Sequence, residues 1–492
     1  MGKRYILSID QGTSGTKTLI FDANGEVVAK ATKSLKTHYG EDGFVEQNPE
    51  EIYANALASV KDCLTEFEKA GGDITKIASC GISNQRETFV VFDKNGKPLY
   101  NAVVWQCKRS IAICNQLKSD GLEPLITERT GLIIDPYFSG TKLVWLYQNV
   151  EKVKHAIDAG EAYFGTVDTW LLYKLTNGEQ YLTDHTNASR TLFFNLKTLS
   201  WDQEILTALG LANLNLPKIK PSSADYGLTT INGLFNEPLK VSAMIGDSHA
   251  AAFGEGCFSS GTAKATLGTG CSVLMNIGES PKVSNKGMMT TICWSMEGRV
   301  DYALEGVIVS CGSTIEWLKN ELGLFKNSIE TETMAQAVSN NNGVYLIPAF
   351  SGLGAPYWDM NRKAEIVGLN FNCNRNHIVR AALESVAFQL KDVILAMEED
   401  AGVTLSMLMV NGGMSANQFL IQLISDTLQC TIGKGNNPDV SALGAGLLAG
   451  LHVGVYPDLD SISQIRSNFR SFKPDESASE KYHQEWLGYV NS

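Results

Sequence analysis

The first thirty residues alternate apolar runs with short polar turns, which is the pattern of a β-meander. Tyr5–Asp10 and Lys17–Asp22 contain β-branched and aromatic residues and are separated by the polar segment Gln11–Gly15. A second turn, at Asn24-Gly25, leads into Glu26–Ala31. Asn-Gly steps between apolar runs favour tight hairpin turns. The sequence therefore predicts three antiparallel strands at the start of the chain.

The next segment changes to the period of a helix. Asn48 is followed by Pro49, and apolar residues then recur every three or four positions as far as Ala70. Proline is favoured in the first helical turn, because an amide hydrogen there has no helical partner. A strand-like run at Ile77–Ile82 follows and leads into the polar segment Ser83–Thr88. Strands that alternate with helices predict an α/β fold.

The second half of the chain shows a related plan. Lys264–Thr269 and Ser272–Ile277 form a predicted hairpin with glycines at its bend. His377–Glu399 carries an apolar stripe at helical spacing. Leu405–Val410 is a predicted buried strand, and Ser415–Leu428 is the predicted helix after it. The two halves are therefore expected to be built alike.

The length of the chain supports a division into domains. A chain of 492 residues is too long for one compact core. We place the boundary near residue 250, between an N-terminal domain at 1–250 and a C-terminal domain at 251–492.

The charge and the cysteines exclude several classes of protein. The net charge is -12, and non-specific nucleic-acid binding needs clustered Lys and Arg, so no nucleic-acid partner is expected. The ten cysteines are scattered without C-x-x-C pairs, which favours buried free thiols over a metal site. The N-terminal residues lack the features of a signal peptide, and no apolar run is long enough to span a bilayer. We therefore expect a cytoplasmic protein without membrane insertion.

Three glycine-containing turns follow predicted strands and suit a nucleotide. In the first, Asp10 ends a strand and can hold hydrated Mg²⁺, while the small residues of Gly12–Gly15 let backbone amides approach a polyphosphate. Gly268-Thr269-Gly270 is a similar turn, and Val410–Asn417 places two glycines between a strand and a helix, where a flat base can lie on bare backbone. Alone, the first turn is equally well explained as an ordinary polar hairpin. In this order, the three elements resemble the ATP clamp of the actin and hexokinase superfamily.

Longer segments carry a resemblance to a known family. These segments are Ser83–Thr88, Trp105–Cys107, Asp135–Leu146, Gly165–Trp170, Thr186–Thr191, Gly352–Trp358 and Gly368–Glu384. In this order they resemble the FGGY carbohydrate kinases, and the similarity extends essentially from end to end. Within that family, the members that phosphorylate glycerol match best. The resemblance implies two actin/hexokinase-like (ribonuclease H-like) domains around an interdomain cleft.

The resemblance also implies a reaction and a set of site residues. The reaction is the ATP- and Mg²⁺-dependent phosphorylation of a polyol hydroxyl, with glycerol converted to sn-glycerol 3-phosphate and ADP released as the leading candidate. The N-terminal domain would hold the polyol and the first phosphate loop, and the C-terminal domain the nucleotide. Asp247 is the implied catalytic base, and Asp10 the implied metal ligand. The implied substrate-binding residues are Arg86, Glu87, Trp105, Tyr137, Asp247 and Ser248, and the implied nucleotide-binding residues are Thr13, Ser14, Gly15, Lys17, Thr269, Gly312, Glu316, Gly413 and Asn417. We also expect a homodimer or a homotetramer.

The chemistry of the implied acceptor residues is consistent with a polyol. Arg86 and Glu87 offer donors and acceptors from one loop, and Trp105 and Tyr137 can pack against a carbon chain. Asp247 opens a predicted helix, whose amides are expected to keep its carboxylate ionised. Taken alone, the Arg-Glu pair is more often a surface ion pair, and an aspartate at this position is more often a simple helix cap. Only the resemblance favours a site.

Some positions depart from the family pattern. Ser248 stands where glutamine is usual and Ser272 where phenylalanine is usual, and both changes enlarge and polarise the pocket. Glu316 replaces a usual glutamine, and Gly233–Glu237 lacks an arginine that other members use to bind fructose 1,6-bisphosphate. A kinase for a tetritol, pentitol or ketose is therefore an alternative function. A non-catalytic nucleotide-binding protein of the same fold is another.

Overall fold

Two large mixed sheets, each flanked by helices, form the two domains of this α/β protein. The structure is a computed structural model that describes residues 4–466, 468–475 and 480–491. The first three residues of the N-terminal stretch considered above lie outside that range. Among the described residues, no helix combines the length and the apolar composition needed to cross a bilayer.

The N-terminal half contains the following elements. Its strands are β1 (Tyr5–Gly12), β2 (Gly15–Phe21), β3 (Val27–Ser34), β4 (Thr37–Tyr39), β5 (Val45–Gln47), β6 (Ile77–Asn84), β7 (Phe89–Phe92), β8 (Ala102–Val103), β9 (Tyr163–Thr166), β10 (Leu182–Asp184), β11 (Phe194–Asn195), β12 (Ser200–Trp201), β13 (Lys218–Lys220), β14 (Leu228–Thr229) and β15 (Leu239–Gly246). Its helices are α1 (Pro49–Lys69), α2 (Ile111–Ser119), α3 (Glu123–Thr130), α4 (Ser139–Asn149), α5 (Glu151–Asp158), α6 (Val167–Leu175), α7 (His185–Ala188), α8 (Gln203–Ala208) and α9 (Asp247–Gly254).

The C-terminal half contains a second set. Its strands are β16 (Thr262–Leu267), β17 (Cys271–Gly278), β18 (Met289–Met296), β19 (Arg299–Ile308), β20 (Tyr345–Ile347), β21 (Glu365–Val367), β22 (Met407–Asn411), β23 (Ile432–Gly435) and β24 (Phe469–Phe472). Its helices are α10 (Gly312–Asn320), α11 (Glu330–Gln336), α12 (Arg375–Ala401), α13 (Gln418–Leu428), α14 (Val440–His452), α15 (Leu459–Arg466) and α16 (Lys481–Val490).

The central sheet of the N-terminal half has the strand order β14-β15-β6-β1-β2-β3. β1 and β2, and β2 and β3, are antiparallel, which confirms the predicted three-stranded start. β1, β6 and β15 are parallel, and Gln11 and Gly246 both pair with Asn84. The carboxyl ends of these three strands therefore meet at one edge, where parallel sheets commonly place their sites.

A smaller sheet beside it has the order β4-β5-β8-β7-β9. It packs with helices α2 to α5 around its own core, which includes Phe89, Leu143 and Phe164. All four residues of β7 are apolar and buried, as expected of a strand covered on both faces. The loops that carry Trp105 and Tyr137 pack against this core.

The sheet of the C-terminal half has the order β18-β19-β17-β16-β22-β23-β24. The predicted hairpin is confirmed as β16 and β17. The predicted helix at His377–Glu399 is confirmed within α12, whose N-terminus is closed by a capping box between Asn374 and His377. The predicted helix start at Ser415 is wrong, because Gly413–Ala416 forms a 3₁₀ turn and α13 begins only after Asn417, whose side chain accepts from the Leu420 amide.

Helix α14 joins the two halves. It belongs to the C-terminal half by sequence, yet it packs with α9 against the N-terminal sheet. A Cβ atom at Gly444 would lie 1.9 Å from the Ala250 carbonyl oxygen, and one at Gly81 would lie 2.3 Å from the Ala445 carbonyl oxygen. Glycine at these two positions therefore allows close approach of α14 to α9 and β6.

Candidate active site

A cavity of about 380 Å³ lies in the cleft at the carboxyl ends of β6 and β15. We call it the cleft cavity. It brings together seven predicted site residues, namely Thr13, Arg86, Glu87, Trp105, Tyr137, Asp247 and Ser248. Ser272, predicted to shape the pocket, also lines it, as do residues that were not assigned a site role, including Lys264, Thr266, Asn411 and Ser441.

Asp247 lies at the centre of this arrangement, directly after β15 and at the first position of α9. Its side chain is 39% exposed, and Arg86 Nε lies 3.5 Å from its carboxylate. The Ser248 amide donates to Oδ1 at 2.7 Å. Burial by the cleft walls raises the pKa of Asp247, although the Arg86 charge opposes this. The Ser248 amide of α9 favours the ionised carboxylate, in the direction predicted for the helix amides, but burial outweighs it. The raised pKa makes the carboxylate a stronger proton acceptor.

Two arginines and two carboxylates form a buried cluster behind Asp247. Arg86 donates through Nη1 and Nη2 to the two Glu305 oxygens, at 2.9 and 2.8 Å. Arg190 Nη1 lies 2.8 Å from Glu305, and Arg190 Nε donates to Glu87 at 2.5 Å. Glu87 has a φ of 59°, a left-handed conformation that is costly for a non-glycine residue and is commonly retained at functional sites. The cluster fixes the Arg86 guanidinium next to Asp247.

Sequence reasoning missed Arg190 and Glu305 as site residues. Arg190 lies within the segment Thr186–Thr191, so the resemblance could have found it. Glu305 is in the middle of β19, where the sequence carries no local sign of a site. Its pairing with Arg86 arises only when β19 and the loop after β6 come together.

Two aromatic side chains form one wall of the cleft cavity. Trp105 and Tyr137 make an edge-to-face pair with ring centroids 5.6 Å apart. Trp105 Nε1 donates to Thr13 Oγ1 at 2.9 Å. Thr13, predicted to contact a nucleotide, thus lines the same cavity as the predicted acceptor residues.

The opposite side of the cleft cavity is polar. Lys264 is buried, and its ammonium donates to Ser248 Oγ at 2.6 Å and to Thr266 Oγ1 at 3.2 Å. Ser272 Oγ lies 3.3 Å from Ser248 Oγ and donates to Glu305 at 3.3 Å. Both serines that depart from the family pattern therefore take part in a connected hydrogen-bond network.

A second cavity, of about 540 Å³, lies in the C-terminal half. We call it the rear cavity. It is lined by Thr269, Gly312, Glu316, Gly413 and Asn417, all of which were predicted to bind a nucleotide, and by apolar residues that include Ile315, Leu383 and Met414. Glu316 lies at its rim, where its carboxylate accepts from Ser328 Oγ at 3.0 Å and from Lys319. Apolar walls beside glycine backbone suit a flat base.

The remaining predicted phosphate-site residues lie on the β1–β2 hairpin. Ser14, Gly15 and Lys17 are outside the described linings of both cavities. Lys17 Nζ instead donates to Asp439 at 2.9 Å, in the loop before α14. A Cβ atom at Gly15 would lie 2.4 Å from the Lys33 carbonyl oxygen, so close packing on β3 is reason enough for that glycine.

Asp10 fits the role of a metal ligand. Burial and, to a smaller extent, the nearby charge of Asp247 together raise its pKa to about 6. A divalent cation beside these carboxylates would compensate both the burial of the Asp10 charge and its repulsion by Asp247. The described residues contain no cluster of three or more metal-ligating side chains, and Mg²⁺ characteristically takes one or two protein carboxylates together with water and substrate phosphates.

Known proteins are similar to this chain over nearly its whole length. Sequence profiles of the FGGY family of carbohydrate kinases match residues 5–254 with its N-terminal domain and residues 263–453 with its C-terminal domain. The glycerol kinase of Carboxydothermus hydrogenoformans is 45% identical over 489 residues, which cover 99% of this chain and 97% of that protein. The crystal structure of Plasmodium falciparum glycerol kinase with ADP superposes with a TM-score of 0.94 at 35% identity, covering 100% of this chain and 98% of the other. A ligand-bound xylulose kinase from Lactobacillus acidophilus shares the fold, with a TM-score of 0.89 at 23% identity and coverage of 99% and 97%.

Proposed function

Because this chain belongs to the FGGY family of carbohydrate kinases, we propose that it phosphorylates glycerol with ATP, forming sn-glycerol 3-phosphate and ADP. The observation that carries the proposal is the position of Asp247, whose carboxylate lies in the cleft cavity beside Arg86. Relatives named glycerol kinase, at 43–46% identity over nearly the whole chain, support glycerol as the acceptor.

The arrangement suggests a role for each group. Trp105 and Tyr137 pack against the carbon chain, and the Arg86–Glu87 loop binds hydroxyl groups. Asp247 accepts the proton of the hydroxyl whose oxygen attacks the γ-phosphorus, and the bond between that phosphorus and the β–γ bridging oxygen breaks to release ADP. Mg²⁺, when bound with the nucleotide near Asp10, neutralises phosphate charge. Positioning and charge neutralisation are sufficient for phosphoryl transfer, so no covalent nucleophile is needed.

The nucleotide is assigned to the rear cavity and the adjoining turns. Thr269, Gly312, Glu316, Gly413 and Asn417 would contact it there, and the β1–β2 hairpin with Thr13, Ser14, Gly15 and Lys17 would face its phosphates. This assignment places the acceptor and the first phosphate loop in an N-terminal domain at 1–250, and the remainder of the nucleotide site in a C-terminal domain at 251–492. We further propose a cytoplasmic homodimer or homotetramer, which size-exclusion chromatography with light scattering would test.

The reaction is tested by measuring ADP release with glycerol and with polyols of four and five carbons. We expect the highest kcat/KM with glycerol. ADP release with none of them, despite ATP binding, would identify a non-catalytic nucleotide-binding protein and reject the proposal.

The polar side of the cleft cavity favours a second candidate, a kinase for a larger polyol or a ketose. Ser248 and Ser272 are small and hydroxylated, and with Lys264 they offer hydrogen bonds to an additional hydroxyl group. We expect the double substitution Ser248→Gln and Ser272→Phe to raise the kcat/KM ratio of glycerol to a tetritol by ~10-fold, the scale of one lost pocket contact. An unchanged ratio would show that these serines do not set acceptor size.

A further inference from the structure

Lys142 is a lysine in the interior of the protein. It lies on α4, and its side chain is fully buried. Its ammonium donates to the carbonyl oxygens of Tyr137 at 2.6 Å, Pro136 at 2.9 Å and Trp105 at 3.4 Å. An ammonium has three hydrogens, so these three acceptors use all of them. A buried charge is costly unless its hydrogen bonds are made, and here neutral carbonyls make them.

The three carbonyls belong to the two segments that form the aromatic wall of the cleft cavity. Trp105 follows β8, whereas Pro136 and Tyr137 precede α4. The side chains of Trp105 and Tyr137 face the cavity and contact each other, while their carbonyls point back to Lys142. One ammonium therefore links the backbones of two segments that are separate in sequence.

We propose that Lys142 is a positioning residue, whose ammonium fixes the spacing of the Trp105 and Tyr137 backbones and thereby the wall against which the acceptor packs. This inference rests on the proposed function, because it takes the cleft cavity as the acceptor site. The three carbonyls lie on the N-terminal side of the cleft, and the rear cavity has none of its lining in these segments. Loss of the ammonium should therefore weaken acceptor binding and leave nucleotide binding unchanged.

The charge of Lys142 gives the wall a dependence on pH. Burial lowers the pKa of Lys142 to about 8. The titratable groups that face it oppose this shift, and they are Glu87 after β6, Cys107 after β8, Cys114 on α2 and Asp135 before α4. The neutral amine has only two hydrogens, so one of the three carbonyls loses its donor as the pH rises through about 8.

The lowered pKa of Lys142 does not destabilise the fold at alkaline pH. The pKa of this lysine is lower in the folded than in the unfolded chain, so between about pH 8 and 10.5 the unfolded chain binds more protons. Stability from this group therefore rises with pH in that window. A weakened acceptor site without loss of stability distinguishes this effect from general unfolding.

The test compares the wild type with Lys142→Met and Lys142→Arg, with KM for glycerol and for ATP measured from pH 7 to 9.5. Lys391→Met is the matched control, because Lys391 is also buried on a helix but donates to a carboxylate, Glu480, in the C-terminal half. We expect Lys142→Met to raise KM for glycerol by at least ~10-fold, the scale of a lost charge-assisted hydrogen bond, with KM for ATP unchanged. For the wild type we expect KM for glycerol to rise above pH 8. Lys142→Arg, which stays charged, should recover most of the glycerol affinity and remove that rise.

The outcomes separate the two proposals. A wild-type enzyme that turns over glycerol with a KM independent of pH from 7 to 9.5 would overturn the role of Lys142, even if the substituted proteins do not fold. Equal changes in the KM values of glycerol and ATP in Lys142→Met would also overturn it. Absence of ADP release from the wild type with every polyol would instead reject the proposed function, and this inference with it.

Discussion

Buried charges around Glu305 hold the guanidinium of Arg86 beside Asp247, the proposed base. Arg86, Arg190 and Glu305 are 6%, 0% and 0% exposed, and water therefore does little to screen them. Burial alone would raise the pKa of Glu305, but Arg190 and Arg86 hold it far below its usual range. Removing one partner of such a group leaves an uncompensated charge in the interior.

We predict that Glu305→Gln lowers the free energy of unfolding at pH 7 by about 3 kcal/mol, since it leaves two buried arginines with one fewer carboxylate. Because the folded pKa of Glu305 is depressed, its stabilisation is present above its unfolded pKa, near 4.5, and is lost as the pH falls below it. Urea unfolding of the wild type and Glu305→Gln from pH 7 to 3 measures the difference between their free energies of unfolding. We expect this difference to decrease by about 1.4 kcal/mol per pH unit below 4.5. A difference in unfolding free energy that stays constant over this pH range would show that folding does not hold the wild-type Glu305 carboxylate in its charged form.

Site residues that lie in a recognisable sequence segment could be predicted from the sequence. Arg86, Trp105, Tyr137 and Asp247 lie in segments whose order resembles a family, and the structure brings them into one cavity. Glu305 and Lys264 could not be found in the same way, because each lies within an ordinary strand. Their importance comes from what folding places opposite them.

Among the elements, α14 depends most on a close backbone contact. Gly444 faces the Ala250 carbonyl on α9, and α14 also packs on β6 through Ala445 and Gly81. The sequence predicts strands and helices from local periodicity, and the bounds of α1 and α12 follow that pattern closely. The start of α13 does not follow the apolar periodicity. It is set instead by the side chain of Asn417, which caps the helix.

Gly444→Ala is expected to destabilise the protein by about 2 kcal/mol, because the added methyl would overlap backbone and force α9 and α14 apart. The matched control is Gly488→Ala on α16, where a Cβ atom meets no atom of the described residues within 4 Å and alanine favours the helix. Chemical denaturation of the three proteins would measure both effects. Equal stabilities of Gly444→Ala and the wild type would contradict the contact between α9 and α14.

For the whole molecule, the arrangement of the two halves decides the function. Lys17 and Lys30 on the N-terminal sheet both pair with Asp439 before α14, at 2.9 and 2.5 Å, and so join that sheet to a segment of the C-terminal half. Nothing in the sequence pairs these residues, which are more than 400 positions apart. The family resemblance predicts an interdomain cleft, whereas these contacts between the two halves follow only from the fold.

Replacement of Asp247 by asparagine tests whether this carboxylate accepts the proton of the attacking hydroxyl. The amide keeps the shape of the side chain but cannot act as the base. We predict that kcat with glycerol falls by at least ~100-fold, the scale of a positioned general base, while the ATP affinity measured by calorimetry stays close to that of the wild type. Turnover of Asp247→Asn near the wild-type rate would show that Asp247 is not the base.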